Sequence, residues 1–252
     1  MTVTQPDDLT RDAFLGGRLH LVQPRQGYRA GIDAVLLSSS VPAEKGQRVM
    51  ELGCGVGAAI LCLGTRVPDL RLTGVERAST FAALARRNGG DLLEVVEADL
   101  VDLPADLRQR QFDHVLANPP YYDRQASVAS GDPLREAAHG AQTPLEDWIR
   151  AAARRLAPKG QAHFIHLPER LPHMLAALPS GMGSIEVLPI SARTGRAPHR
   201  VILRARKNGR AAFRLHAPLI LHEGPRHESD GDSYTPQVRA VLRDAAPLPF
   251  AP

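Results

Sequence analysis

Residues 48–63 constrain the fold of this 252-residue chain more than any other stretch. A short apolar run ends in a turn at residues 53–57, in which Gly53, Gly55 and Gly57 alternate with other residues, and an apolar helix-like stretch follows. Glycines at these positions allow a tight turn and the close approach of a ligand to the backbone. The helix that follows presents free N–H groups at its start. The pattern predicts the first strand, turn and helix of an α/β nucleotide-binding fold.

Carboxylates follow at the ends of two further predicted strands. Glu76 ends the segment 72–76 and lies 23 residues after Gly53, and Asp99 ends the segment 94–99, another 23 residues on. Ligands of open α/β sheets bind beyond the carboxyl ends of the strands, where an acid is placed to accept from ribose hydroxyls. Each acid alone fits an ordinary solvated side chain. Their regular spacing predicts that Glu76 contacts ribose and that Asp99 accepts from an adenine amino group.

A fourth predicted strand, residues 112–117, runs into Asn118-Pro119-Pro120-Tyr121. Two prolines stiffen the chain and donate no backbone hydrogen bonds, and the residue before a proline is pushed to extended geometry. We therefore expect the amide oxygen of Asn118 and the carbonyl oxygen of Pro119 to point into a cleft beside the face of Tyr121. Two acceptors beside a stacking surface suit a planar substrate with an –NH2 group. The alternative is a turn that only ends the strand.

Glu51, which lies just before the glycine-rich turn, favours S-adenosylmethionine over a dinucleotide as the ligand. The glycines alone also fit the loose dinucleotide pattern G-x-G-x-x-G/A. Glu51, two residues before Gly53, is suited to accept from an ammonium group, such as that of S-adenosylmethionine, and is unfavourable beside a pyrophosphate. A turn that merely packs a helix on a strand remains a further alternative.

Taken together, these motifs resemble the ordered motifs of class I S-adenosylmethionine-dependent methyltransferases. In this class, Asn-Pro-Pro-Tyr is typical of members that methylate exocyclic or amide nitrogens. Within it, Tyr28, Arg29 and the segment 32–37 are similar to the N-terminal stretch of the bacterial tRNA1(Val) adenine-37 N6-methyltransferase group. The likeness covers about residues 14–206.

The resemblance implies a Rossmann-like α/β fold with a seven-stranded, mostly parallel sheet, an antiparallel edge strand and helices on both faces. It implies S-adenosyl-L-methionine as cofactor and the N6 amine of adenine in RNA, with tRNA favoured, as methyl acceptor. The residues expected to bind the cofactor are Tyr28, Asp33, Glu51, Gly53, Cys54, Gly55, Gly57, Glu76, Arg77, Asp99, Leu100 and Asn118. Those expected to act in methyl transfer are Asn118, Pro119, Pro120 and Tyr121. Those expected to meet the substrate are Tyr121, Tyr122, Arg29, Arg124, Arg135, Arg193, Arg196 and Arg200.

Charge and composition bear on partners and location. The net charge is +4, and residues 187–222 hold eight Arg or Lys and no Asp or Glu. Such a stretch either neutralises phosphates or forms a solvated basic hairpin. No apolar run is long enough to span a membrane, and the N-terminus lacks a signal-peptide core, so we expect a cytoplasmic protein. The two cysteines and ten histidines lack metal-binding spacing, and we expect no metal site.

The chain is expected to form one folding unit. Residues 1–13 are predicted to be a flexible leader and residues 14–206 the methyltransferase domain, in which 14–47 cover the cofactor. Residues 207–252 are predicted to be a C-terminal extension that packs on the same domain and ends in disordered residues. The polar segment 123–143 is long for a loop, which is typical of functional or mobile segments. We expect a monomer or a weak homodimer.

Other functions remain open on the sequence alone. A protein glutamine N5-methyltransferase uses the same kind of Asn-Pro-Pro-Tyr tetrad, here residues 118–121, on a side-chain amide. Such enzymes usually carry a helical N-terminal domain, and the 47 residues before Arg48 leave little room for one. Methylation of ribosomal RNA or DNA bases is also open. A nicotinamide-dependent oxidoreductase leaves residues 118–121 unexplained. A non-catalytic RNA-binding protein is disfavoured by the intact turn, acids and tetrad.

Overall fold

Parallel strands that alternate with helices build the centre of the molecule. The computed structural model describes residues 8–121, 143–224 and 233–250, and all elements below lie in these ranges. The strands are β1 Leu9–Phe14, β2 Leu19–Pro24, β3 Arg48–Leu52, β4 Arg71–Glu76, β5 Leu93–Glu97, β6 Phe112–Ala117, β7 Leu156–His166, β8 Met182–Ser191, β9 Pro198–Lys207, β10 Arg214–Leu215 and β11 Leu219–Ile220. The α-helices are α1 Ile32–Ser39, α2 Ala58–Arg66, α3 Ser79–Gly89, α4 Ala105–Gln109, α5 Leu145–Arg155, α6 Leu171–Ala177 and α7 Pro236–Asp244.

The main sheet confirms the predicted α/β class. Its order is β10-β8-β9-β7-β6-β3-β4-β5, with β11 also beside β8. Strands β3 to β7 pair in parallel, and β9 is antiparallel to both β7 and β8. The seven predicted strands are β3 to β9, and the two-residue strands β10 and β11 extend the sheet at β8. The predicted antiparallel edge is confirmed: β8 and β9 form an antiparallel pair towards this edge of the sheet, and β9 lies between β8 and β7.

Helices cover both faces of the sheet, and each face has its own apolar core. On one face α1, α2 and α3 bury side chains such as Ile60 and Phe81. On the other, α4, α5 and α6 bury side chains such as Leu107 and Ile149. Strand β3 is buried from Val49 to Leu52, with Val49 in one apolar core and Met50 and Leu52 in the other, as expected of a central parallel strand.

The N-terminal hairpin corrects the prediction of a leader over residues 1–13. Strand β1 pairs with β2 in an antiparallel hairpin, so the chain is ordered from Leu9 onward, and residues 1–7 lie outside the described ranges. The carboxylate of Asp12 accepts hydrogen bonds from Thr10, Gln23 and Arg29 at 2.9, 2.9 and 2.7 Å. A strand held together by polar side chains lacks the apolar alternation by which strands are recognised in a sequence.

The C-terminal tail corrects the prediction of a disordered end. Leu248 and Phe250 are buried, and the Leu248 N–H donates to the Ser39 carbonyl oxygen at 2.8 Å. The Phe250 ring lies 4.2 Å from the Arg204 guanidinium and packs edge-on against His216 at 5.4 Å. The prolines of the tail therefore stiffen a packed segment. Of residues 245–252, which were expected to be disordered, only 251–252 lie outside the described ranges.

Two features of the described residues bear on the expected membrane and metal partners. None of their helices is long and apolar enough to cross a membrane. The same residues contain no group of three or more His, Cys, Asp or Glu side chains able to hold a metal ion. The assignment of residues 14–206 to the methyltransferase domain and of residues 207–252 to an extension of it stays a prediction.

We predict that Phe250→Ala lowers the free energy of unfolding by about 3 kcal/mol, because it removes a large buried side chain and leaves a cavity. The matched control is Phe213→Ala, since Phe213 is 52% exposed, and a surface change of this kind costs less than about 0.5 kcal/mol. Urea unfolding monitored by circular dichroism measures both. Equal effects of the two substitutions would show that the tail is not packed.

A pair of buried histidines joins β6 to β7. His114 Nδ1 lies 3.2 Å from His163 Nε2, and His114 Nε2 lies 3.1 Å from Gln47 Oε1. Burial lowers the pKa of His114 to about 4 and holds the pKa of His163 well below its ordinary value. Both rings are therefore neutral in the folded protein near pH 7.

We predict that stability is lost as the pH falls from about 6.5 to 4. Unfolded histidine has a pKa near 6.5, so over this window the unfolded chain binds protons that the folded chain does not. Each such histidine adds up to about 1.4 kcal/mol per pH unit to the slope. His114→Gln should make the slope shallower by about this amount, whereas Leu92→Gln, at an exposed side chain without a titratable group, should not. Urea midpoints at a series of pH values measure the slopes, and equal slopes in both variants would contradict the prediction.

Candidate active site

The register of the parallel strands determines where the predicted site residues emerge. One row of neighbouring residues crosses five strands: Val96, Val75, Leu52, Ala117 and Phe164. The residues that follow three of these, Gly53, Glu76 and Asn118, therefore leave the sheet side by side. The regular spacing of the motifs in the sequence corresponds to this shared edge.

A cavity of about 310 Å³ opens at this edge. Most of the predicted site residues line it: Tyr28, Arg29, Asp33, Gly53, Gly55, Glu76, Arg77, Asp99, Leu100, Asn118, Pro119, Pro120 and Tyr121. The structure thus brings most of the residues expected to bind the cofactor, together with residues 118–121, into a single cavity. Tyr122, Arg124 and Arg135 lie outside the described residues, and their predicted roles stay predictions.

The glycine turn forms the floor of the cavity and requires glycine for steric reasons. Gly53 has φ +61°, and a Cβ on it would lie 2.4 Å from Cη2 of Trp148. Gly55 has φ +56° and lies beneath the ring of Tyr28. Trp148, on α5, is a cavity residue that the sequence analysis did not single out. The amphipathic pattern of residues 145–156 predicts its helix but not the element that the indole contacts.

Glu76 is an oriented acceptor in the cavity wall. Its carboxylate oxygens accept hydrogen bonds from the N–H groups of Gly55 at 2.9 Å and Ala78 at 2.8 Å. Burial raises the pKa of Glu76, and these backbone bonds oppose that rise. Each oxygen keeps a lone pair for a further donor, such as a hydroxyl group in the cavity.

Asp99 lies in the loop after β5, two residues beyond the strand end at Glu97, and not in the strand as predicted. One carboxylate oxygen accepts from the Val101 N–H at 3.1 Å, and the other lies 3.5 Å from a guanidinium nitrogen of Arg77. The carboxylate is thus held in the cavity wall by the loop that bears it.

Glu51 does not line the cavity. It is buried behind the glycine turn, where its carboxylate accepts from the Ile60 N–H at 2.9 Å. Burial raises the pKa of Glu51 well above its ordinary value. The structure therefore corrects the expected contact with an ammonium group: Glu51 satisfies a free N–H in the first turn of α2.

Cys54 and Gly57 also belong to the structure of the turn. The Cys54 sulfur fills the space beside Gly74, where a Cβ would lie only 2.7 Å from it, and Gly57 begins α2 with φ +85°. Neither lines the cavity. Their expected place at the cofactor is corrected to support of the turn from behind.

Much of the basic stretch binds backbone carbonyl groups. Arg193 is buried and donates to the carbonyl oxygens of Glu223 and Gly224, so the expectation that it meets phosphate is not supported. The ammonium group of Lys207 donates to two carbonyl oxygens at the end of α5. Arg196 is exposed and lies away from the cavity wall. Arg200 pairs with Asp33 beside Tyr121.

Comparison with known proteins identifies the family. Residues 29–188 match the family model described as methyltransferase small domain. The chain belongs to this family. A tRNA1(Val) (adenine(37)-N6)-methyltransferase from Cronobacter sakazakii is 30% identical over 203 residues, which is 77% of this chain and 82% of that protein. A protein of the same name from Glaesserella parasuis is 26% identical over 216 residues, which is 82% of this chain and 88% of that one.

Solved structures agree with the fold. A crystal structure from Agrobacterium tumefaciens, described as a predicted O-methyltransferase, has a TM-score of 0.71 and 30% identity, and covers 86% of this chain and 98% of that one. An S-adenosylmethionine-dependent O-methyltransferase from Thermotoga maritima has a TM-score of 0.52 at 17% identity, covering 75% and 69% of the two chains, and supports the fold alone. The protein is an S-adenosylmethionine-dependent methyltransferase, which confirms the predicted enzyme class and cofactor.

The cavity fits S-adenosylmethionine. Gly53 and Gly55 present backbone without side chains, which allows a ligand to approach closely. The carboxylates of Glu76 and Asp99 offer acceptors for hydroxyl and amino hydrogens, and the side chain of Phe81 adds an apolar wall for a purine ring. The bare backbone, the two carboxylate acceptors and the apolar wall therefore match a nucleoside with an extended polar arm.

We predict that replacing a carboxylate by an amide weakens cofactor binding at Glu76 but not at Glu51. Glu76→Gln should weaken S-adenosylmethionine binding about tenfold, because a charge-assisted hydrogen bond to the ligand is lost. The matched control is Glu51→Gln, which imitates the protonated carboxyl group that burial favours and should leave affinity within about twofold. Isothermal titration calorimetry measures both, and a larger loss in Glu51→Gln would return the ammonium contact to that residue.

Proposed function

We propose that the protein transfers a methyl group from S-adenosylmethionine to the exocyclic N6 amine of adenine in RNA, and specifically in tRNA. The observation that carries this proposal is the position of Asn118, Pro119 and Tyr121 in the same cavity as Glu76 and Asp99. The similarity to the tRNA1(Val) (adenine(37)-N6)-methyltransferases from Cronobacter and Glaesserella supports tRNA as the substrate class.

An adenine N6 amine must be activated before it can accept a methyl group, and the two acceptor oxygens of Asn118 and Pro119 are suited to do this. The lone pair of an adenine N6 amine is delocalised into the ring, so the amine is a poor nucleophile. When the Asn118 amide oxygen and the Pro119 carbonyl oxygen accept its two N–H hydrogens, a pyramidal nitrogen with a directed lone pair is favoured. When bound, S-adenosylmethionine supplies an electrophilic methyl group. The protein mainly contributes alignment of the two reactants.

The base must leave its stack to enter the cavity. A side chain that offers a flat aromatic face compensates for lost stacking, and such a contact is worth about 1–3 kcal/mol per base in single-strand binders. Tyr121 lies in the cavity wall beside Asn118 and offers this face. A nucleotide in a loop, which is already partly unstacked, is therefore the favoured substrate.

The acceptor pair favours nitrogen over oxygen. A hydroxyl acceptor carries one hydrogen and needs one base, whereas an –NH2 group carries two hydrogens and matches two acceptor oxygens. The side-chain amide of glutamine has the same two hydrogens, so protein substrates belong in the test.

The direct test uses methyl-labelled S-adenosylmethionine with separate pools of unmodified tRNA, ribosomal RNA, DNA and protein. We expect label in tRNA, recovered as N6-methyladenosine after digestion to nucleosides. Label in protein alone would reassign the enzyme to glutamine methylation. Label in ribosomal RNA or DNA alone would contradict tRNA as substrate while keeping the reaction type.

We predict that Asn118→Ala lowers the methyl-transfer rate by at least about 100-fold, the usual effect of removing one oriented group that acts on the reacting centre. Affinity for S-adenosylmethionine should stay within about threefold, because the carboxylates and the glycine turn are untouched. Single-turnover kinetics and calorimetry on the same preparation separate the two effects. A near-normal rate in this variant would rule out the tetrad as the methyl-acceptor site.

A further inference from the structure

We propose that Asp33 and Arg200 are positioning residues that fix the ring of Tyr121, Asp33 at its hydroxyl and Arg200 on one face, and that the substrate base stacks on the opposite, cavity-facing side of the ring. The choice of a base as the stacking partner rests on the proposed function. The proposal gives Asp33 and Arg200 roles other than the expected contacts with cofactor and RNA phosphate.

One carboxylate oxygen joins the three side chains. Oδ2 of Asp33 accepts from the Tyr121 hydroxyl at 2.8 Å and from Nε of Arg200 at 3.0 Å. Asp33 is in the first turn of α1, Tyr121 follows β6, and Arg200 is on β9. Elements that are distant in the sequence therefore meet at a single atom, and the position of the ring depends on all of them.

Two further contacts restrict the ring itself. The guanidinium of Arg200 lies over the Tyr121 ring, 4.4 Å from its centroid. The ring of His166 packs against it edge-on, 5.1 Å away. Tyr121 lines the cavity, but neither Arg200 nor His166 does. One face of the ring is thus occupied from outside the cavity, and the proposal assigns the cavity-facing side to a planar ligand.

The ion pair is shielded from solvent. The side chains of Asp33 and Arg200 are only 20% and 22% exposed, so salt screens their attraction less than that of a surface pair. Burial raises the pKa of the Tyr121 phenol, and the nearby Asp33 carboxylate adds to the rise, so the hydroxyl remains a donor near neutral pH. Burial lowers the pKa of His166 to about 4, so of these two described side chains against the ring Arg200 is the one that is charged at pH 7.

A ring that is fixed before the substrate arrives lowers the cost of binding. Ordering a side chain at an interface is unfavourable, and a preformed arrangement avoids that loss when the complex forms. A misplacement of about 1 Å reduces rates by up to about 100-fold in enzymes that act by alignment. Loosening Tyr121 should therefore impair methyl transfer without affecting the cofactor.

The structural part of the proposal is tested without any substrate. Protein labelled with ¹³C-tyrosine contains four tyrosines, and the Tyr121 signals are identified by their absence in Tyr121→Phe. We expect Asp33→Asn and Arg200→Gln each to shift the Tyr121 ring signals, and the signals of the distant Tyr234 to stay in place. Unchanged Tyr121 signals in both variants would overturn the proposal.

The functional part is tested by a double-mutant cycle, in which kcat/KM for the methylation of RNA is measured. Asp33→Asn, Arg200→Gln and Tyr121→Phe should each lower kcat/KM about tenfold, the loss expected for one hydrogen bond that involves a charged group. The double variant Asp33→Asn with Tyr121→Phe should lose less than the product of the two single effects, because both act on one contact. Affinity for S-adenosylmethionine should not change. Multiplicative losses, or weaker cofactor binding in Asp33→Asn, would overturn the assignment.

Salt dependence separates positioning from a phosphate contact by Arg200. Loss of one phosphate contact reduces the slope of log K against log salt concentration by about one. We expect Arg200→Gln to keep the slope of the parent protein in RNA binding, and a reduced slope would overturn the positioning role. If the parent protein methylates no adenine in any RNA, the proposed function fails, while the tyrosine signals still decide whether Asp33 and Arg200 fix the ring.

Discussion

The register of the parallel strands, which aligns the carboxyl ends of β3, β4 and β6, is the constraint on which the rest of the structure depends. Leu52 pairs with Val75 on one side and Ala117 on the other, so the glycine turn, Glu76 and Asn118 leave the sheet at one level. A shift of β6 by one residue would turn Asn118 away from the cavity and reverse the buried face of the strand. The two apolar cores that cover the sheet therefore also fix the geometry of methyl transfer.

Side-chain contacts on either side of the cavity build its walls at this edge of the sheet. Trp148 packs on the bare backbone of Gly53, and Tyr28 lies over Gly55. On the opposite side, Asp33 of the N-terminal segment reaches the hydroxyl of Tyr121. The regions proposed for the cofactor and for the methyl acceptor thus share walls, and each wall combines segments that are far apart in the sequence. Such a cavity suits an enzyme whose main contribution is to align two reactants.

Sequence reasoning worked where a residue type is required by local backbone chemistry. The glycines with positive φ, the acids after strands and the stiff tetrad have patterns with a physical reason, and all except the residues behind the turn line the cavity. It failed where tertiary contacts decide. The burial of Glu51 behind the turn and the bonding of Arg193 to carbonyl groups depend on neighbours that no spacing reveals. The same holds for Phe250, whose packing depends on Arg204 and His216.

The most direct measurement is a crystal structure of the protein with S-adenosylhomocysteine and adenosine monophosphate bound together. The account predicts that adenine stacks on the cavity-facing side of Tyr121, with N6 within hydrogen-bond distance of the Asn118 amide oxygen and the Pro119 carbonyl oxygen, and that the ribose of the cofactor product contacts Glu76. Adenine bound elsewhere in a complex that holds the cofactor product, or an N6 group turned away from Asn118, would contradict it.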